Sequence, residues 1–396
     1  MNIYTDASSL MKIVVILFFI VVITVVYFVG NSVVFGNTPS LDRILIDGLL
    51  ADDQFGNSVD IDESNAVIGS FLDDNASLTN SGAAYALNID PTTGAWTSYV
   101  KLMSPEQSSG DYFGGSVAVD SGVIFVGAYG DDYLSKIDSG SVFTFRKNTD
   151  TWDYESKIMP NDSSATDLFG YSVAADGGYL VVGAPRDDDK GKDSGSAYIF
   201  KFNGTAWIQE AKLVASDGGI EDAFGTSVDI DNGRIIVGSK ENTHSGKINV
   251  GAAYVFRLVS GTWTQEAKLT NGDLGKQYDY FGTDVSIDDE QIVVAAKGFD
   301  LNATVVNVGA VYSFTLNNGE WILNQRLLNN NNSNDWFGNS ISLDGSYLAV
   351  SCLTCDVGSN TNAGKIEILL LYADKICIDD IKLILVGMLL IELFAI

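Results

Sequence analysis

Short apolar runs separated by polar turns recur along the chain, and their lengths and spacing are those of strands rather than helices. Between residues 172 and 213 four such runs follow one another: Ser172 to Ala175, Tyr179 to Val182, Ser196 to Phe200 and Trp207 to Leu213. Asp176-Gly177-Gly178 and Asn203-Gly204 separate the first from the second and the third from the fourth, and glycine there permits the positive φ of a tight hairpin turn. The second and third are joined by a longer polar stretch, Gly183 to Ser194. Four antiparallel strands in about 56 residues make one propeller blade.

The same grammar is written six times. Each copy opens on aspartate, any residue, phenylalanine, glycine: Asp53, Phe55, Gly56; Asp111, Phe113, Gly114; Asp167, Phe169, Gly170; Asp222, Phe224, Gly225; Asp279, Phe281, Gly282; and Asp335, Phe337, Gly338. The phenylalanines are 58, 56, 55, 57 and 56 residues apart. A near-constant period of this size marks an array of one supersecondary unit. The expected fold is therefore an all-β propeller of six four-stranded antiparallel blades, with seven as the alternative. The phenylalanines, and the tryptophans that open fourth strands (Trp96, Trp152, Trp207, Trp263 and Trp321), are expected to pack between blades.

Six residues after each of those tryptophans stands an apolar residue preceded by a base, as in Lys101-Leu102 and Lys212-Leu213. Arg43-Ile44 sits eleven residues before Phe55, so Ser40 to Leu45 reads as a fourth strand that closes the last blade. The rival closing strand is the tail around Lys382-Leu383. Ile13 to Val29 is an uncharged run, apolar apart from Thr24, that follows Lys12, which reads as a signal peptide or a signal anchor forming one hydrophobic helix. The expected organisation is 1–36 for that segment, 37–375 for the propeller and 376–396 for a hydrophobic tail. Either reading of the first segment places the propeller outside the cytoplasm, secreted or membrane-tethered. Sequons at Asn75, Asn161, Asn203, Asn302 and Asn331 are glycosylation candidates on such a route.

Charge narrows the function. Fifty-one acids against 23 bases give a formal net charge of −28, which repels phosphate backbones and excludes nucleic acid as a partner. The chain has one histidine, His244, and shows no recognised nucleophile or zinc motif, so the expectation is a protein that is not an enzyme. A carboxylate-based hydrolase or lyase on the same face is the alternative, as is a surface protein with no discrete ligand. Cys352 and Cys355 form a lone C-x-x-C, read as a local disulfide or two free thiols.

The D-x-F-G phrase with Gly183-Ala184-Pro185 resembles the FG-GAP repeat of the integrin α-subunit propeller, over roughly residues 40 to 372. The resemblance implies a seven-bladed extracellular binding or adhesion module with calcium loops between first and second strands. Here those connections are only turns, such as Asp120-Ser121-Gly122, so no cofactor is expected and calcium is a minor alternative. Strand alternation puts the long connections at the D-x-F-G end. The candidate binding face, for a protein or glycan, comprises Asp131, Asp132, Arg186, Asp187, Asp188 and Asp189. Asp187 to Asp189 are the best cation candidates, and the D-x-F-G aspartates are expected to accept backbone hydrogen bonds.

Overall fold

The computed structural model describes residues 52–371, apart from short stretches at 63–64, 76, 90–95, 150, 273–274, 330–331 and 357–363. The first blade is β1 (Val59–Asp62), β2 (Asn65–Ser70), β3 (Ala83–Ile89) and β4 (Trp96–Leu102). The second is β5 (Phe113–Asp120), β6 (Val123–Ala128), β7 (Ser141–Asn148) and β8 (Thr151–Ile158). The third is β9 (Ser172–Asp176), β10 (Tyr179–Ala184), β11 (Ser196–Phe202) and β12 (Trp207–Leu213). The fourth is β13 (Phe224–Asp231), β14 (Arg234–Ser239), β15 (Ala252–Val259) and β16 (Thr262–Leu269). The fifth is β17 (Phe281–Asp288), β18 (Gln291–Ala296), β19 (Ala310–Asn317) and β20 (Glu320–Leu327). The sixth shows β21 (Phe337–Asp344), β22 (Tyr347–Cys352) and β23 (Lys365–Leu370), three strands among the described residues. All pairings are sequential and antiparallel, so the six-bladed β-propeller expected from the repeat is the fold. No α-helix occurs among the described residues.

Blades are locked to one another by the D-x-F-G phrase. Phe224 is fully buried, edge-on to Tyr254 (5.5 Å) and Phe256 (6.0 Å) of its own blade. Its backbone forms a parallel bridge to Gly195 of the preceding blade, donating its N–H to the Ser194 carbonyl at 3.0 Å. Gly195 has φ +81°, and a Cβ there would lie 2.0 Å from the Phe224 carbonyl oxygen, so only glycine allows the approach. The same bridge joins Gly82 to Phe113, Gly140 to Phe169, Gly251 to Phe281 and Gly309 to Phe337. Tryptophans reach back as expected: Trp207 lies edge-on to Phe125 of the second blade at 5.0 Å, and Trp263 to Tyr179 of the third at 5.7 Å.

The first strand of each blade is innermost, and its open edge would leave backbone N–H groups unpaired. Side chains of the preceding blade's first strand satisfy them. Ser58, Asp60 and Asp62 accept from the N–H groups of Val117, Val119 and Ser121. Asp229 and Asp231 accept from Ile287 and Asp289, while Asp284 and Ser286 accept from Ile341 and Leu343. These inward aspartates were not singled out from the sequence, although their alternation, Val-Asp-Ile-Asp at 59–62 and again at 228–231, is plain in it.

The step from sixth blade to first differs from the other five. Val59 and Ile61 are 64% and 62% exposed, whereas Val117 and Val119, in register with them, are 5% and 4%. Ile366 and Ile368 on β23 are also exposed. Phe55, expected to be buried with the other five phenylalanines, is only half-buried, because no bridging glycine or apolar strand of another blade covers it among the described residues. The expected closing strand at 40–45, its rival in the tail, the apolar run at 13–29 and the 376–396 segment all lie outside the described residues.

Candidate functional site

The acidic long-loop face is held together from within. Lys212, on β12, donates from Nζ to Asp187 (2.9 Å), Asp162 (2.8 Å) and Asp189 (2.6 Å). Asp187 is buried and also accepts from the Ser196 and Tyr198 hydroxyls, both at 2.9 Å. Its carboxyl is held below the ordinary carboxylate range: burial opposes this, and the Lys212 ammonium, the Asp189 amide and the Ser196 hydroxyl outweigh it. An ammonium thus sits between two of the three carboxylates that the sequence offered to a cation, Asp187 and Asp189, with Asp162 beside them in place of Asp188. Asp131 is likewise buried, 2.8 Å from Lys157, and Asp73, in the corresponding loop of the first blade, is paired with Lys101.

The next residue in each loop closes it. Asp132 accepts from the Asp138 N–H and Asp188 from the Asp193 N–H, both at 2.8 Å. The donors have φ +51° and +52°, so these carboxylates fix left-handed turns. Arg186 is exposed, and its backbone N–H donates to the Asp167 carbonyl. Of the sequons, Asn161, Asn203 and Asn302 are exposed. Asn75 is buried, its amide nitrogen donating to Ser81 and Gly82; Asn331 lies outside the described residues.

The D-x-F-G aspartates behave as turn acceptors. Asp111, Asp167, Asp222 and Asp279 each take the backbone N–H of the third residue before them, at 2.6 to 2.8 Å. All six D-x-F-G aspartates are buried. Burial pushes Asp111, Asp167 and Asp279 up to about 6. Among the inward aspartates, burial raises Asp60 and Asp284 to about 6 and Asp229 to about 7, with Asp60 adding to Asp229 through its charge.

These shifts set a pH dependence. A carboxyl whose folded value lies above its unfolded one, near 3.8, destabilises the native state when ionised, and the penalty is relieved as pH falls through 7 and 6. Asp187 and Asp217, held low, lose their contribution only below that unfolded value. His244, lowered mainly by burial, opposes the trend as the one imidazole. Melting temperature is therefore expected to rise between pH 8 and pH 5; a fall over that interval, followed by calorimetry, overturns this reading of the buried aspartates.

The repeat frame leaves a few columns free to vary at the inner rim of the D-x-F-G end. Directly after each second strand stand Phe71, Tyr129, Pro185, Lys240, Lys297 and Leu353. The second residue of each D-x-F-G is Gln54, Tyr112, Leu168, Ala223, Tyr280 or Trp336, each at φ between +51° and +57°. These side chains meet. Phe71 lies 6.0 Å from Tyr112, Tyr112 stacks on Tyr129 at 5.0 Å with 15° between planes, and Tyr129 lies 5.5 Å from Tyr171. Lys240 Nζ then lies 5.8 Å over the Tyr171 ring. Burial, and next the charge of Lys240, push Lys297 below the ordinary lysine value. A half-buried aromatic arc thus runs into two lysines across five consecutive blades. Among the described residues neither lysine has an ion-pair partner, whereas Lys101, Lys157, Lys212 and Lys268 all do. This site was missed in the sequence, where the signal was variability inside an otherwise constant frame.

A family profile described as FG-GAP repeat matches residues 44–87, 96–145, 152–200, 207–256 and 263–314. No curated protein matches the chain in sequence. Among solved structures, it aligns with a Bacteroides uniformis protein assigned as a 6-phosphogluconolactonase, at 11% identity and TM-score 0.47, covering 80% of this chain and 85% of that one. It also aligns with the periplasmic gluconolactonase of Pseudomonas aeruginosa, at 12% identity and TM-score 0.48, covering 80% of this chain and 89% of that one. Both carry the names of enzymes, and on that finding the expectation of a non-enzyme is withdrawn. Likeness at this level extends to the fold alone and transfers neither substrate nor residues.

Proposed function

Because the chain belongs to the FG-GAP repeat family, with constant columns that build the blades, we propose that its variable rim binds a ligand, a small organic anion. The observation that carries this is the pair Lys240 and Lys297: at equivalent positions of consecutive blades, half-buried, without carboxylate partners among the described residues, in a chain of net charge −28. Leaving two ammoniums unpaired in such a protein is costly unless an anion completes them. Tyr171 and the stacked Tyr112 and Tyr129 offer a wall for the carbon face of a sugar acid or a comparable ring. The Cys352–Cys355 disulfide supports a secreted or membrane-tethered setting, since cytosolic thiols are kept reduced. A hydrolase or lyase at the same end is the second reading. Asp111, Asp167 and Asp279, at that end and raised to about 6, favour it, because general acids and bases work best near the ambient pH.

Glucuronate titrated by calorimetry is expected to bind wild type, more weakly at high salt. Replacing both Lys240 and Lys297 by Met is expected to weaken binding at least about tenfold, a loss of about 1.4 kcal/mol. Unchanged affinity in that variant removes the rim from consideration.

A further inference from the structure

Independently of the anion site, we propose that Cys352 and Cys355, once reduced, bind a zinc ion together with the Asp335 carboxylate, so that disulfide and metal are alternative states of one buried site. The two sulfurs and a carboxylate oxygen all lie within 4.8 Å of one another, and all three residues are buried. Asp335 Oδ2 has no hydrogen-bond partner among the described residues. A buried carboxylate oxygen left without a donor is costly, and a cation beside it removes that cost.

The other blades show what is particular to the sixth. Three residues beyond the second strand, the first three blades place Asp73, Asp131 and Asp187, each paired with a lysine, and the next two place Asn242 and Phe299; the sixth places Cys355. In the fourth and fifth blades an amide also satisfies the D-x-F-G carboxylate: Asn242 donates to Asp222 and Asn271 to Asp279. Asn329 follows β20 by two residues, as Asn271 follows β16, yet its amide nitrogen lies 2.6 Å from Cys355 Sγ and 3.5 Å from Cys352 Sγ. An amide N–H aimed at both sulfurs favours thiolates, and Asp335 is left to share a cation with them.

The donor set selects the ion. Two thiolates at C-x-x-C spacing with one carboxylate suit zinc, with water in the fourth position, whereas calcium and magnesium require oxygen alone. A phosphine opens the disulfide: the two sulfurs gain two electrons, the phosphorus is oxidised to phosphine oxide, and water supplies its oxygen and the two thiol protons. Zinc then displaces those protons.

Full-length protein, reduced with tris(2-carboxyethyl)phosphine, is titrated with zinc against a chromophoric chelator and with cobalt(II), whose thiolate complexes show charge-transfer absorption. Reduced wild type is expected to bind zinc and to give the cobalt–thiolate absorption, and oxidised wild type to do neither. Cys355→Ser is expected to abolish that absorption. Asp335→Asn keeps a turn acceptor and is expected to weaken zinc at least about tenfold, an effect that even the outer partners of metal ligands have, while Asp279→Asn in the fifth blade leaves it unchanged. Zinc is also expected to raise the melting temperature of reduced but not oxidised wild type, a readout that needs no variant. Absence of cobalt–thiolate absorption, equal zinc affinity in the oxidised protein, or unchanged affinity in a folded Asp335→Asn overturns the proposal.

Discussion

Truncation of Phe224 to alanine is expected to lower the unfolding free energy by about 3 to 5 kcal/mol, measured by urea denaturation. The ring is fully buried against Tyr254 and Phe256, and the backbone beneath it bridges to Gly195 of the preceding blade, so the void cannot collapse by a shift of one chain. In an array where each blade touches only its neighbours, that loss falls on one interface and spreads through cooperativity. Phe55 provides the internal control. It is the same residue in the same phrase, but only half-buried, and Phe55→Ala is expected to cost clearly less. Equal losses at the two positions would show that burial between blades is not what the phrase supplies.

Lys212→Met is the second large effect expected, at about 3 to 5 kcal/mol, because it leaves the buried Asp187 carboxylate without its counter-charge while keeping most of the aliphatic stem. The pH dependence distinguishes this cause from lost packing. In wild type Asp187 is held low, so its contribution is present above its unfolded value and lost only as pH falls through the folded one. In the variant the ammonium is gone, the carboxyl moves up, and a protonated Asp187 needs no partner. The deficit is therefore expected to be full at pH 7 and to narrow toward pH 4. A deficit that stays constant over that range would assign the loss to packing. Lys192→Met, at an exposed pair, is expected to leave the melting temperature unchanged.

Both variants act on residues that the sequence displayed in different ways. The phenylalanines could be picked out by period alone. Lys212 could be seen as the base before Leu213, but nothing in its spacing said that it reaches back to the Gly183 to Ser194 loop. Asp187, Asp188 and Asp189 read as one acidic run that a cation or partner would meet, yet their neighbours divide them: Asp187 is buried under a lysine and a tyrosine, Asp188 closes a left-handed turn, and Asp189 completes the ion pair. A run of like charges in sequence is not a run of like environments, because consecutive loop residues point to different surroundings.

What the sequence by itself determined is the architecture. Six copies of one phrase, hairpin turns rich in glycine and strands of four to eight residues leave a blade as the only unit that repeats, and local backbone preference is enough to specify it. The tertiary structure alone decided which polar groups are available. Lys240 and Lys297 are 57 residues apart in sequence and reach equivalent places in consecutive blades because each directly follows the second strand of its blade. Lys101, Lys157 and Lys212, on fourth strands, are instead neutralised by aspartates of their own blades. Whether a charge is free or paired depends on which loop side chain folds back onto it, and spacing within a repeat does not report that contact.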